Sequence, residues 1–85
     1  MPTVFRRDGY RFFFFSNEGE PKEPVHVHVR RGGDEAKLCL EPNVAVADSF
    51  GFNAAELNAL LKLAQRELAQ IRRAWNEHFG HQRQI

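Results

Sequence analysis

Val25-His26-Val27-His28-Val29-Arg30-Arg31-Gly32-Gly33-Asp34-Glu35-Ala36-Lys37-Leu38-Cys39-Leu40 is the stretch that decides the fold. Its first six residues alternate strictly between apolar and polar, the period of a half-buried strand. Gly32-Gly33 supplies a two-residue turn in which positive φ is open to both positions. Glu35 to Leu40 alternates again, and Pro42 ends the second strand. A two-residue turn fixes the register, and the register fixes the faces. Val29 then pairs with Ala36, Val27 with Leu38 and Val25 with Leu40 on one side. His26 faces Cys39, His28 faces Lys37 and Arg30 faces Glu35 on the other.

The same pattern stands upstream. Thr3 to Arg7 and Tyr10 to Phe15 are rich in aromatic and β-branched residues and flank Asp8-Gly9, a strong hairpin signal. Pairing Arg7 with Tyr10, Phe5 with Phe12 and Thr3 with Phe14 leaves Val4, Arg6, Arg11, Phe13 and Phe15 on the opposite side. Ser16 to Pro24, with its glycine, prolines and charges, reads as a loop.

Downstream, Asn43 to Gly51 is the least legible part, with Val44 and Val46 compatible with a short strand or an irregular connector. Asn53 then stands as a helix N-cap with Glu56 three residues on, a capping-box spacing, and Phe52 and Leu57 form a hydrophobic staple. Leu57, Leu60, Leu61, Ala64, Leu68, Ile71, Trp75 and Phe79 recur at spacings of three and four, which draws one apolar stripe along a helix. Gly80 is placed as its C-cap. The predicted fold is α+β: an antiparallel sheet of two β-hairpins covered on one face by a single long C-terminal helix. It forms one domain over residues 1–85, with the sheet in 1–47 and the helix in 53–79. A helix of that length spans ~39 Å against ~20 Å for a six-residue strand, so Trp75 and Phe79 are expected to overhang the sheet unless Asn43 to Gly51 folds under them. One helix cannot cover both faces, so the face bearing His26, His28, Phe13 and Phe15 is expected to be open.

Composition bounds the function classes. The chain has 85 residues, 42% of them hydrophobic and 27% charged, which is globular rather than disordered. Eight phenylalanines are a large apolar supply for one small core. No apolar run approaches the ~20 residues of a membrane helix. The N-terminal stretch has no apolar signal-peptide core, and the lone Cys39 excludes an internal disulfide framework, both of which favour the cytoplasm. A formal net charge of +1 does not advertise nucleic-acid binding.

Two constellations carry possible chemistry. His26 and His28 project the same way from one strand, and the imidazole side chain as a type can give and take a proton near neutral pH, which suits general acid–base work. Lys37 or Arg30 would then supply a cation. The plain alternative is a sheet face on which histidine is merely tolerated. With Cys39 across the ladder a metal site is conceivable, but the tetrahedral set is incomplete and Lys37 sits among its members, so no metal and no cofactor is expected. Phe13 and Phe15 with Arg6, Arg11, Arg30 and Lys37 resemble a stacking platform for single-stranded nucleic acid. The competing reading, favoured by the balanced charge, is an interface with another protein, to which Trp75 and Phe79 would add at the helix end.

Two family resemblances bear on these residues. The run His26-Val27-His28-Val29 resembles the alternating motif of histidine-triad nucleotide hydrolases, although Arg30 stands at the third histidine position. A broader likeness rests on Met1-Pro2-Thr3-Val4-Phe5-Arg6, Gly9-Tyr10-Arg11-Phe12-Phe13-Phe14-Phe15-Ser16-Asn17-Glu18, Pro24-Val25-His26-Val27-His28-Val29-Arg30, Gly51-Phe52-Asn53-Ala54-Ala55-Glu56-Leu57 and Trp75-Asn76. These motifs in that order resemble the small bacterial family known as domain of unknown function 4160. The resemblance implies a short cytoplasmic prokaryotic protein belonging to a toxin–antitoxin-like gene pair. The expected function is thus a protein-binding component of a two-protein module, its partner a small protein or a second copy. The alternative is a metal-independent ribonuclease or RNA-binding protein that uses the His26/His28 face.

Overall fold

A computed structural model describes residues 3–15 and 25–79. The loop expected over Ser16 to Pro24 and the C-cap expected at Gly80 lie outside the described residues. Five antiparallel strands form one meander in the order β1 (Thr3–Arg7), β2 (Tyr10–Phe13), β3 (His26–Arg31), β4 (Asp34–Cys39) and β5 (Ala45–Phe50). Two helices follow, α1 (Ala54–Arg66) and α2 (Leu68–Phe79).

Both turns have the expected length. Asp8 and Gly9 have φ of 55° and 83°, the left-handed pair that a two-residue hairpin matching strand twist requires. In the second turn only Gly32 has positive φ, at 60°. Arg31 pairs with Asp34 across it, and the pairs from Arg30–Glu35 to His26–Cys39 follow as the alternation dictates. Leu40 N–H donates to the Val25 carbonyl at 3.0 Å and closes the expected sixth pair. One register differs from expectation. A bulge between Thr3 and Phe5 sets Thr3 against Phe13 rather than Phe14.

The ambiguous segment after Pro42 is the fifth strand, so the sheet runs to Phe50 rather than stopping at residue 47. Its register slips by one residue between Lys37 and Leu38, with Ala47 as the extra residue. Gly51 follows with φ of 94°, and a Cβ there would overlap the Asp34 carboxylate, so the exit from β5 requires glycine.

The helix begins as the capping box specifies. Glu56 N–H donates to Asn53 Oδ1 at 2.8 Å, and Asn53 N–H donates to Glu56 Oε1 at 2.9 Å. The other Glu56 oxygen pairs with Arg31, which ties the helix start to the end of β3. The single long helix is corrected to two segments that meet at Glu67. No proline or glycine lies between residues 54 and 79, so backbone chemistry does not explain the break. Glu67 N–H still bonds to the Leu63 carbonyl, and Ile71 N–H bonds to that of Glu67, both at 3.0 Å. The rod therefore bends rather than ends, and the Glu67 carboxylate pairs with Arg7 of β1 at 3.2 Å.

The bend removes the expected overhang. α1 packs against β5 and α2 against β1, so the helical layer crosses the sheet diagonally. Trp75 and Phe79 are each only 2% exposed and enclose Phe14, at ring distances of 5.3 and 5.8 Å. Tyr10, Phe12, Val27, Val29, Leu38, Leu60, Leu63 and Ile71 complete a core whose members each contribute about 1.5–3 kcal/mol before entropy is counted.

Candidate functional site

The face away from the helices is built of cross-strand rows. One runs Arg6, Arg11, Arg30, Glu35, Phe50, and the next runs Phe13, His28, Lys37, Asp48. His26, Cys39 and Ala45 form a third. The sequence assigns His26, His28, Lys37, Arg30, Arg6, Arg11 and Phe13 to this one face, and the strand pairing places them together. It also adds Asp48 and Phe50, which come from the strand the sequence left open.

The half of this face over β2 and β3 is closed, contrary to expectation. Phe13 is fully buried, His26 is 2% exposed and His28 8%. Neighbouring side chains contribute to this closure. The Arg11 guanidinium lies 4.3 Å from the Phe13 ring centre, and that of Arg30 lies 5.3 Å from it. These contacts offset the like-charge row Arg6, Arg11, Arg30, as does the Arg30–Glu35 ion pair at 3.0 Å. His28 stacks on Phe13 at 5.6 Å and meets the edge of Phe15 at 4.6 Å. His26 lies 5.4 Å from His28 and 5.3 Å from Trp75. The expected open stacking platform is thus a packed cluster in which the Phe13 ring already carries the chain's own cations.

The half over β4 and β5 is different. His28, Gly33, Glu35, Ala36, Lys37, Asp48, Ser49 and Phe50 line a shallow cleft of about 450 Å³. Lys37 makes no ion pair with any described residue. Asp48 Oδ1 accepts the Ser49 N–H at 2.9 Å. Phe50 is 76% exposed and is the large hydrophobic side chain left in solvent among the described residues. Among those residues, no three His, Cys, Asp or Glu side chains are grouped to hold a metal ion, and Cys39 is free and half-buried.

The sequence analysis missed Asp48, Ser49 and Phe50. A signal for them was present: Pro42 and Gly51 bracket a strand-length run, and Phe50 sits immediately before the breaker.

A five-strand meander carrying a bent helical layer on one face and a histidine–arginine–aromatic cluster on the other defines a small α+β domain class. The chain belongs to the family described as domain of unknown function (DUF4160), whose model matches residues 9–76. That span includes the sheet from the first turn onward, both histidines, Lys37, Phe50 and Trp75. No curated protein and no solved structure gives a significant match. No described helix is long and apolar enough to cross a membrane.

Proposed function

We propose that the chain is a protein-binding component of a cytoplasmic bacterial two-protein module of toxin–antitoxin type, and that it binds through the β4–β5 half of the outer face. The observation that carries this reading is Phe50. A phenylalanine three-quarters exposed on an edge strand, beside a cleft, is an aromatic side chain of the kind that anchors protein interfaces. Trp75 and Phe79, offered by the sequence as partner contacts, are committed to the monomer core, so of the two expected surfaces, sheet face and helix end, this reading uses the sheet face.

The test is to purify tagged wild type and Phe50→Asp from the native host, identify what accompanies each, and rebuild the interaction from purified components. The expected outcome is a stoichiometric partner held by the wild type and lost from the variant at unchanged thermal stability. A wild type that travels alone, or two forms holding the same partner equally, would remove this reading.

A second reading keeps one specific observation. His28 and Lys37 stand in direct register and line the same cleft. An imidazole beside a cation is the minimum for moving a proton and steadying a developing phosphate charge in metal-independent RNA cleavage. Arg30 is drawn off to Glu35 and His26 is buried against Trp75, so the acid–base pair narrows to His28, a largely buried imidazole at the cleft wall. Expression of wild type beside His28→Ala, read by growth and RNA integrity, decides it. Intact RNA with the wild type removes the nuclease reading.

A further inference from the structure

An open sheet has two edges, each a row of main-chain donors and acceptors. Proteins shield such edges with charge, bulges or a covering element. β1 has all three: Arg6 and Arg7, the bulge before Phe5, and α2 packed alongside. β5 reads Ala45-Val46-Ala47-Asp48-Ser49-Phe50, with one charge, no proline and the bulge at Ala47. α1 packs against it, yet five of its six residues remain exposed. An edge left this exposed beside a cleft is a geometry that accepts an added strand.

The rows that end on β5 state what the next strand should carry. The row His28, Lys37, Asp48 runs from a cation to an anion at the edge, so a cation continues the alternation. Asp48 Oδ1 holds the Ser49 N–H, and a carboxylate has room for further donors. The neighbouring row, Arg30, Glu35, Phe50, closes its charges internally and ends on an apolar ring.

A second copy of this chain fits poorly. A closed dimer pairing β5 with itself about a two-fold axis sets the central residue against its own counterpart. Centred on Asp48, it opposes two carboxylates. Moving the axis toward either end shortens the ladder, and the Ala47 bulge throws the two faces out of step.

We infer that β5 docks an extended segment of a different protein, which adds as a sixth strand with a lysine or arginine opposite Asp48 and an apolar side chain opposite Phe50. This rests on the protein-binding reading above and deepens it by naming the partner's local chemistry.

The experiment titrates two synthetic peptides into isotope-labelled protein and follows backbone amide resonances. One peptide alternates lysine with valine on one face of a strand, and the other carries glutamate in place of each lysine. The expected result is shift changes and amide protection confined to Ala45–Phe50 and the cleft. The lysine peptide should bind about tenfold tighter, the scale of one partly desolvated charge contact. Asp48→Lys should reverse the preference while leaving the fold intact. Equal binding of both peptides, no binding, or changes centred on β1 overturn the inference. So does a concentration-dependent dimer that protects β5 without peptide. The outcomes separate cleanly from the parent reading. A partner lost on Phe50→Asp but indifferent to Asp48→Lys keeps protein binding and discards the strand chemistry proposed for it.

Discussion

The two halves of the outer face belong to one continuous sheet and end up in opposite states. Over β2 and β3, Phe13, His26 and His28 are buried, roofed by Arg11, Arg30 and Phe15. Over β4 and β5, Lys37 has no ion-pair partner among the described residues and Phe50 stands in solvent. Side chains of the sheet itself cover the Phe13 ring, and Trp75 of the helical layer reaches His26. Two long arginines laid across one phenylalanine remove it from water, because the aliphatic stem covers apolar surface while the guanidinium takes the ring face. What separates the halves is side-chain size and position. β3 is the central strand, flanked by large neighbours, whereas β5 is an edge strand of small residues ending in one large one.

The largest expected effect breaks the closed half. Phe13→Ala should cost about 3–5 kcal/mol, the range for truncating a buried aromatic. Urea denaturation should show a lower midpoint with unchanged m-value. Trp75→Ala should fall in the same range, since Trp75 joins Phe14, Phe79 and His26. A cost below about 1 kcal/mol for either would mean that the closed half behaves as surface.

Gly51→Ala comes next. It forces a side chain into a left-handed backbone position and against the Asp34 carboxylate, and should cost at least ~1–2 kcal/mol. Asp34→Ala should recover the steric part and leave the backbone part, which a double-mutant cycle would measure.

Arg11→Ala probes the roof itself. Loss of the guanidinium 4.3 Å from the Phe13 centre should cost ~0.5–2 kcal/mol. Arg11→Lys should recover part of it, since an ammonium carries the charge without the flat stacking surface. If Arg11→Ala is neutral, Phe13 is held by its ring neighbours alone.

Much of the architecture was legible because it depends on local chemistry. Asp8-Gly9 and Gly32-Gly33 set two turns, the turns set register, and register assigned His26, His28, Lys37 and Arg30 to one face. Asn53 and Glu56 marked the helix start. Other features depend on distant contacts and left weaker traces. The bend at Glu67 has no proline or glycine to announce it, and it places Trp75 and Phe79 back in the core. The burial of His26 and His28 follows from which side chains flank β3, and strand period alone assigns a face without saying what roofs it. β5 was obscured because its bulge at Ala47 breaks the alternation by which strands are read. The cost of missing it was Asp48, Ser49 and Phe50, the β5 side of the cleft.

The smallest expected effect on stability sharpens the comparison most. Phe50→Ala removes a ring that is already in water, so little transfer free energy is at stake and the unfolding midpoint should stay within ~0.5 kcal/mol of wild type. The same change should cost a bound partner about 2 kcal/mol or more if the ring is the anchor of an interface, because exposed aromatics that become buried in a complex dominate its energy. The pairing of the two measurements carries the argument. Stability unchanged and partner binding weakened marks β5 as surface retained for contact. Stability lost in the isolated protein would show that Phe50 already packs in solution, and the two halves of the face would then differ only in degree.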